Sequence, residues 1–402
     1  MKRSALIFLG LLLLLPSKAP ARSKPPASSP DTSNSPDREI EEISNRLKDT
    51  SQPSASSAAA SPQETRSIGI FKYPVNPTGV QRLLPDISLI GTFAGAYFSR
   101  EPVGDTGVDP KRTGINLQEI EVAFQSIIDP YFRADVMLSF GESGVELEEG
   151  YFTTLALVKG LQIRGGKMRL PFGRQNQKHT ETWDFADNAL ASKYFLGPDG
   201  LKELGVEVSY LIPVPFFLQL QGTFSNGDNG TSFGGTRVKD FLYQGRVTTS
   251  FDPSANTSIL IGGSAALGFN ATGPGNQTKI YGGDFLFKWK PQSYRSVTWQ
   301  SEYLFRQFDD PSGVQNDGGL YSYVDWQFIK RWHAGIRYDQ VGLPSHLVAK
   351  EYRVTPALTF NPTEFTRIRA QYEYDKVAAV NGAHAAFLQF EFSMGPHGAH
   401  PF

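Results

Sequence analysis

From residue 86 to residue 394, apolar and polar side chains alternate with a period of two, in runs broken by Gly, Pro, Asn and Asp. The run 132–140 shows it best: Phe132, Ala134, Val136, Leu138 and Phe140 alternate with Arg133, Asp135, Met137 and Ser139. Successive side chains of a strand point to opposite faces, so such a segment has one oily face and one wet face. In 216–224, likewise, Phe216, Leu218, Leu220 and Phe224 fall on one face and Gln219, Gln221 and Thr223 on the other. A soluble sandwich does not readily hold an arginine and an aspartate between apolar residues over so long a run.

Sixteen strands are predicted, at 86–98, 115–128, 131–141, 146–157, 161–170, 204–211, 216–225, 240–251, 256–268, 277–289, 296–308, 319–329, 331–340, 350–360, 364–375 and 384–394. Every second connection is short and turn-like, as at Asp129-Pro130, Pro213-Val214-Pro215 and Asn361-Pro362-Thr363. The intervening ones are mostly longer, as at 226–235, 270–276 and 309–319. Two loop classes in alternation, with two-faced strands, predict an all-β fold: a transmembrane antiparallel β-barrel of about 16 strands, short turns at the periplasmic rim. An even strand number brings both termini to that rim. The tryptophans agree, because barrels carry aromatic girdles at the membrane interfaces. Trp289, Trp299, Trp326 and Trp332 all flank short turns, and Trp183 alone sits in a long loop.

Composition changes the picture mainly outside this region. Beyond the N-terminus no apolar run approaches the roughly 20 residues of a spanning helix. Mean hydropathy is -0.30, which a barrel tolerates because a strand needs an apolar residue only at every second position. Residues 1–21 read as a secretory signal peptide: Lys2 and Arg3, the apolar run 5–15, then a small-residue site at Ala19-Pro20-Ala21. From 22 to 85 the chain reads as a disordered, low-complexity periplasmic linker, with a short helix at 37–48 whose Ile40, Ile43 and Leu47 make a seam barely two turns long. With no cysteine, disulfides, zinc-thiolate sites and iron-sulfur clusters are excluded. With 39 basic and 40 acidic side chains the formal net charge is -1, so no global field draws nucleic acid. The barrel region, 86–394, ends in an aromatic-rich run, Ala386, Leu388, Phe390, Phe392 and Met394, followed by the tail 395–402 with its terminal Phe402. That ending resembles the signal read by the barrel-assembly machinery.

Four segments carry a closer resemblance: Gly165-Gly166-Lys167-Met168-Arg169-Leu170-Pro171-Phe172-Gly173-Arg174, Leu196-Gly197-Pro198-Asp199-Gly200, Gly205-Val206-Glu207-Val208, and the closing His397-Gly398-Ala399-His400-Pro401-Phe402. They resemble the phosphate-selective porin O and P family, or a related group of outer-membrane porins. The resemblance covers about 85–402 and is motif-like only around 165–208. It implies a 16-stranded, usually trimeric diffusion channel in the outer membrane of a diderm bacterium, its partners being outer-membrane lipid and small hydrophilic solutes or ions.

In a water-filled pore the lumen-facing charges do the work. The strand registers place Arg133, Asp135, Arg164, Glu207, Arg246, Lys288, Glu302, Arg306, Arg337, Asp339, Arg367 and Arg369 on the wet face. Glu119, Glu121, Asp284, Asp325, Glu351, Glu373 and Glu391 offset the basic excess, so the expected lumen is mixed, without strong ion preference. For each residue, a salt bridge that stiffens the wall weighs at least as much as a role in selectivity. The longest connection, 171–203, joins the fifth and sixth strands and is the candidate constriction. It carries Arg174, Lys178, His179, Glu181, Asp184 and Asp187, with Phe172, Trp183, Phe185, Tyr194 and Phe195 available to pack it against the wall. His179, Glu181 and Asp184, or His397 and His400, are donors that could bind a metal, with solvated loop polarity the blander alternative; no metal or cofactor is assigned. The stretch 160–168 resembles a phosphate-binding loop only loosely, since Met168 stands where Ser or Thr would hold magnesium. An outer-membrane hydrolase using a rim serine with His333 or His384, and a surface receptor or adhesin on a barrel support, are the alternatives. The enzyme reading is the weaker, for want of H-E-x-x-H or G-x-S-x-G.

Overall fold

The computed structural model describes residues 65–68, 71–74 and 85–395, apart from 103, 105, 235–239, 345–346 and 379–380. The signal-like segment 1–21, the helix expected at 37–48, most of the linker and all but the first residue of the tail lie outside them. Within 22–85 two short strands, β1 (Thr65–Ile68) and β2 (Phe71–Pro74), pair as an antiparallel hairpin, so that part of the stretch read as linker is regular.

The barrel is built from β3 (Asp86–Phe98), β4 (Gly114–Ile127), β5 (Phe132–Gly141), β6 (Gly144–Thr154), β7 (Leu161–Arg169), β8 (Lys202–Leu211), β9 (Phe217–Ser225), β10 (Leu242–Ser254), β11 (Thr257–Phe269), β12 (Gln277–Gln292), β13 (Arg295–Asp310), β14 (Gly313–Ile329), β15 (Trp332–Val341), β16 (Glu351–Thr363), β17 (Thr366–Val377) and β18 (Ala383–Met394). Each pairs antiparallel with its chain neighbour, and β18 closes the cylinder on β3. These are the sixteen strands that the alternation predicts.

The distribution of side chains is inside-out relative to a soluble protein. Leu388 is 60% exposed on the outer face, whereas Asp135 is fully buried in the interior. An outer surface so rich in bare Leu, Val, Phe and Tyr needs an apolar solvent, and a bilayer supplies it. A 10-residue strand such as β5 also has the right reach. At about 3.3 Å per residue and a tilt near 40° it crosses roughly 25 Å. The girdle tryptophans lie on the outer face beside the short turns, Trp326 52% exposed and in register with Val297 and Ala334. Trp183, 3% exposed, is the interior exception.

One predicted loop is corrected. The region 309–319 is no long connection, because β13 and β14 stay paired down to Asp310 and Gly313. The Asp310 carboxylate accepts the Ser312 backbone N–H (2.7 Å), an Asx turn that closes the hairpin in two residues. Register shifts next to short turns occur in four hairpins, and two further β-bulges break the alternation within the strands. In β4, Gln118 is extra between the pairs Thr92–Glu119 and Phe93–Leu117; in β6, Glu148 is extra between Met137–Glu149 and Leu138–Leu147. Each bulge turns two consecutive polar side chains, Gln118 with Glu119 and Glu148 with Glu149, into the interior.

Candidate pore constriction

The connection between the fifth and sixth barrel strands runs from 170 to 201, slightly tighter than 171–203, and it folds into the barrel. Its neck is zipped by the Leu170 N–H donating to Leu201 O (3.0 Å). Asn176 straddles the neck, its Nδ2 donating to Leu170 O (2.8 Å) and Leu201 O (3.1 Å) while its Oδ1 accepts from Leu201 N (2.6 Å). Beyond the neck come two single 3-10 turns, Gln175–Gln177 and Thr180–Thr182, and a helix, α1 (Leu190–Leu196).

An apolar cluster fixes the ends of the connection to the wall. Met168, Leu170, Phe172, Leu190, Phe195 and Leu196 are packed with Leu242, Ala266, Ile280, Leu304 and Val341, which sit at inward positions where a wet lumen would carry polar residues. Two wall glycines make the sockets. A Cβ at Gly282 would lie 2.9 Å from the Phe172 ring, and one at Gly319 would lie 2.9 Å from the Phe195 ring. The ring and the side chain exclude each other, so glycine is needed where these aromatics seat.

Polar wall groups hold the middle. The first residue of α1 has no side-chain cap of its own; the Leu190 N–H instead donates to Asp339 Oδ1 (3.1 Å) on β15. Arg337 donates to Asp187 Oδ2 (2.6 Å) and to the Asp187 carbonyl (3.0 Å), and Arg353 reaches the same carboxylate (3.0 Å). Arg369 donates to Trp183 O (2.8 Å) and Arg367 to Glu181 O (2.6 Å). Arg306, paired with Asp317, lies over the Phe195 ring and donates to Ser232 Oγ (2.9 Å). Glu302 accepts the backbone N–H groups of Arg174 and Gln175 (both 3.2 Å). On the opposite wall Gln118 donates to Ala186 O (2.9 Å), and His179 meets Glu121 (3.0 Å) and Glu149 (3.1 Å). The connection therefore bridges the lumen from β4 and β6 to β13–β17.

The residues singled out in the sequence thus divide into three sets. Arg133–Asp135, Arg164–Glu207 and Arg246–Asp284 are inward ion pairs within the wall. Glu302, Arg306, Arg337, Asp339, Arg367 and Arg369 grip the connection. Arg174, Lys178 and Lys288 line a cavity of about 350 Å³ at the end of the barrel where the short turns lie, together with Lys290, Arg367, Arg369, Asp184 and Asp325. At the long-loop end a second cavity, of about 280 Å³, is acidic: Glu119, Glu142, Glu146, Glu148 and Asp199 line it with Lys111 and Lys202. His179 and Glu181 do come together, with Glu121, whereas Asp184 turns away to Lys178 (2.7 Å) and Tyr323 (2.6 Å). His397 and His400 lie outside the described residues. Glu119 and Glu121 are inward, as the sequence reading has them, whereas Glu148 and Glu149 were missed, because period-two reading cannot place both of two consecutive residues inward.

Protonation in the connection follows these contacts. Burial alone would lower the His179 pKa, but hydrogen bonds to Glu121 and Glu149 and the nearby Glu148 carboxylate hold it well above its ordinary value. Burial and the Glu121 charge push Glu181 up to about 8. For Asp184 burial is outweighed by attraction and hydrogen bonding from Lys178, which bring it down to about 2. For Asp187 burial is outweighed by Arg337 and Arg353, which hold it well below the usual carboxylate range.

No family model matches the chain. It is 35% identical, over an alignment of 395 residues covering 82% of either chain, to an uncharacterized protein of Aquifex aeolicus. It belongs to that protein's family. The fold of the chain is that of solved outer-membrane porins. The anion-selective porin from Comamonas acidovorans superposes with a TM-score of 0.55 at 11% identity, over 77% of this chain and all of the porin. The outer-membrane channel DcaP of Acinetobacter baumannii gives 0.53 at 10%, over 78% and 98%. The trimer form of OmpT, an outer-membrane protein of Vibrio cholerae, gives 0.52 at 9%, over 77% and 100%.

Proposed function

We propose that the protein is an outer-membrane porin, a water-filled diffusion channel for small hydrophilic solutes or ions, narrowed by the connection 170–201. The observation that carries this is a 16-strand barrel, apolar outside and charged inside, whose fifth-to-sixth connection is built into the lumen and clamped on both walls. The two cavities of opposite sign support a mixed lumen without strong ion preference, and the short-turn rim with both ends of the barrel is read as periplasmic. Three of the four segments that resemble the phosphate-selective O and P porins form β7, the neck and β8, so that part of the likeness falls on the constriction element and leaves the solute open; the fourth, 397–402, lies outside the described residues. A homotrimer is supported by the trimer form of the Vibrio cholerae protein, and recognition by the assembly machinery through Phe390 and Phe392 of β18.

A non-enzymatic role is the favoured reading. The His333 ring bonds Asp325 (2.8 Å) and the His384 ring bonds Tyr372 (2.6 Å) on the outer face; Ser99 Oγ accepts from the backbone N–H of His384 (2.7 Å) and not from its ring. Receptor or adhesin work needs long external loops, and two of the connections at that end, at 142–143 and 311–312, are tight turns. The test is single-channel recording of purified protein in planar bilayers. Discrete conductance steps are expected, and folded, inserted protein that passes no current would overturn the reading.

A further inference from the structure

The two bulges have a joint product. By presenting consecutive side chains inward, β4 and β6 bring Glu119, Glu121, Glu148 and Glu149 to one spot on the inner wall, beneath the His179 turn. Around this spot five carboxylates, with Glu181 the fifth, face three cationic groups, His179, Arg169 and Lys202. Arg169 pairs with Glu148, and Lys202 is shared between Glu146 (3.2 Å) and Glu148 (3.8 Å). The His179 ring is taken by Glu121 and Glu149, and stands 3.7 Å from Glu148 Oε2. Two oxygens are left over. Glu119 Oε1 and Glu148 Oε2 are buried without any hydrogen-bond partner, on residues each only 4% exposed.

An anionic oxygen stripped of water and given no donor is costly to keep buried. One oxygen from each of Glu119, Glu121 and Glu148 lies within 4.8 Å of the others. Oxygens that share a calcium ion stand about 2.3–2.6 Å from it, hence up to roughly 5 Å from one another. We propose that Glu119, Glu121 and Glu148 form a divalent-cation site in the lumen, taking a hard, oxygen-seeking ion of the calcium class. The irregular, carboxylate-only set fits calcium better than magnesium, which demands near-octahedral geometry and keeps its waters. The ion would enter through the acidic cavity, which Glu119 and Glu148 themselves line.

The test is calorimetric titration of chelator-stripped, full-length protein in detergent with calcium chloride, which needs no conductance and so is independent of whether the barrel is a channel. One saturable site is expected, with magnesium chloride binding at least tenfold more weakly. Glu119→Gln and Glu148→Gln should each weaken calcium binding at least tenfold, while Asp252→Asn, at an exposed carboxylate near a turn, leaves it unchanged. Heat-modifiable migration on gels shows which variants fold. Absence of saturable calcium binding by the wild type overturns the proposal, whatever the variants do. So does undiminished binding in a folded Glu119→Gln or Glu148→Gln protein.

Discussion

Asp187 is where the ion network can be tested against the apolar anchors. Its carboxylate accepts from Arg337 (2.6 Å), Arg353 (3.0 Å) and Gln371 (2.6 Å), so Asp187→Ala leaves two buried guanidinium groups short of a partner. Breaking a buried pair from one side costs roughly 3–5 kcal/mol. Arg337 keeps Asp339 (2.6 Å) and Arg353 keeps Asp375 (3.0 Å), which places the cost near the lower bound. At about 3 kcal/mol, and about 1.4 kcal/mol per factor of ten, the docked-to-undocked ratio of the central arch falls roughly 150-fold. Helix α1 and Phe172 stay seated, since the apolar cluster and the bond from Leu190 N–H to Asp339 do not use the Asp187 carboxylate. In planar bilayers the variant should show a larger mean conductance and more open-channel noise than wild type, with unchanged heat modifiability. If the folded variant matches wild type in both, the arginine network does not hold the arch, and the glycine sockets alone position the constriction.

Three further outcomes are expected. Val136→Arg puts a charge on the lipid face midway along β5, where Val136 pairs with Phe124 and Gly150, at a cost of roughly 2–4 kcal/mol; Arg133→Ser alters only the lumen, so assembly yields should differ sharply, and equal yields would invert the register. Replacing Arg174 and Lys178 together by Gln removes positive potential from the short-turn cavity, and the reversal potential in a salt gradient should move toward cation preference. The Asp184 carboxyl is held at about 2, below its ordinary 3.8, so its contribution to docking is complete above about pH 4 and is lost as pH falls through about 2. Iodide quenching of Trp183 should therefore stay flat from pH 7 to 4 and rise below that, and a rise already complete at pH 5 would show that another group controls the arch.

Strand number, order and facing were legible because each rests on local chemistry: alternation, turn residues and aromatic girdles are written in neighbouring positions. The inward residues Arg337, Asp339 and Arg369 could be placed on the wet face for the same reason. Their task could not, since the partners Asp187, Leu190 and Trp183 are more than a hundred residues away in the chain, and pairing across a lumen leaves no periodic trace. The bulges escaped because one inserted residue shifts the phase of a strand, and neither Gln118 nor Glu148 is a turn former that would mark the insertion. Inward Ala266, Ile280, Leu304 and Val341 did carry a signal: apolar residues on the wet face of neighbouring strands announce that something dry will lie against them. The hairpin at 310–313 was hidden by its own Asp, Ser and Gly, which serve a tight turn as readily as a long loop.

The seat of the constriction has a consequence for the order in which the molecule can be made. Residues 170–201 leave the ribosome after β4 and β6 but before the larger part of the wall that receives them, for Gly282, Gly319, Asp339 and Gln371 all come later, and the bond from Arg369 to Trp183 joins positions 186 apart. Until β12–β17 have been threaded in, Phe172, Phe195 and Trp183 have nowhere dry to go. The segment must therefore be shielded or kept loose until its receptor has been folded around it, and the final narrowing of the passage belongs among the last events of barrel assembly. Any passage through the half-made cylinder would be wider than the one that the finished protein permits.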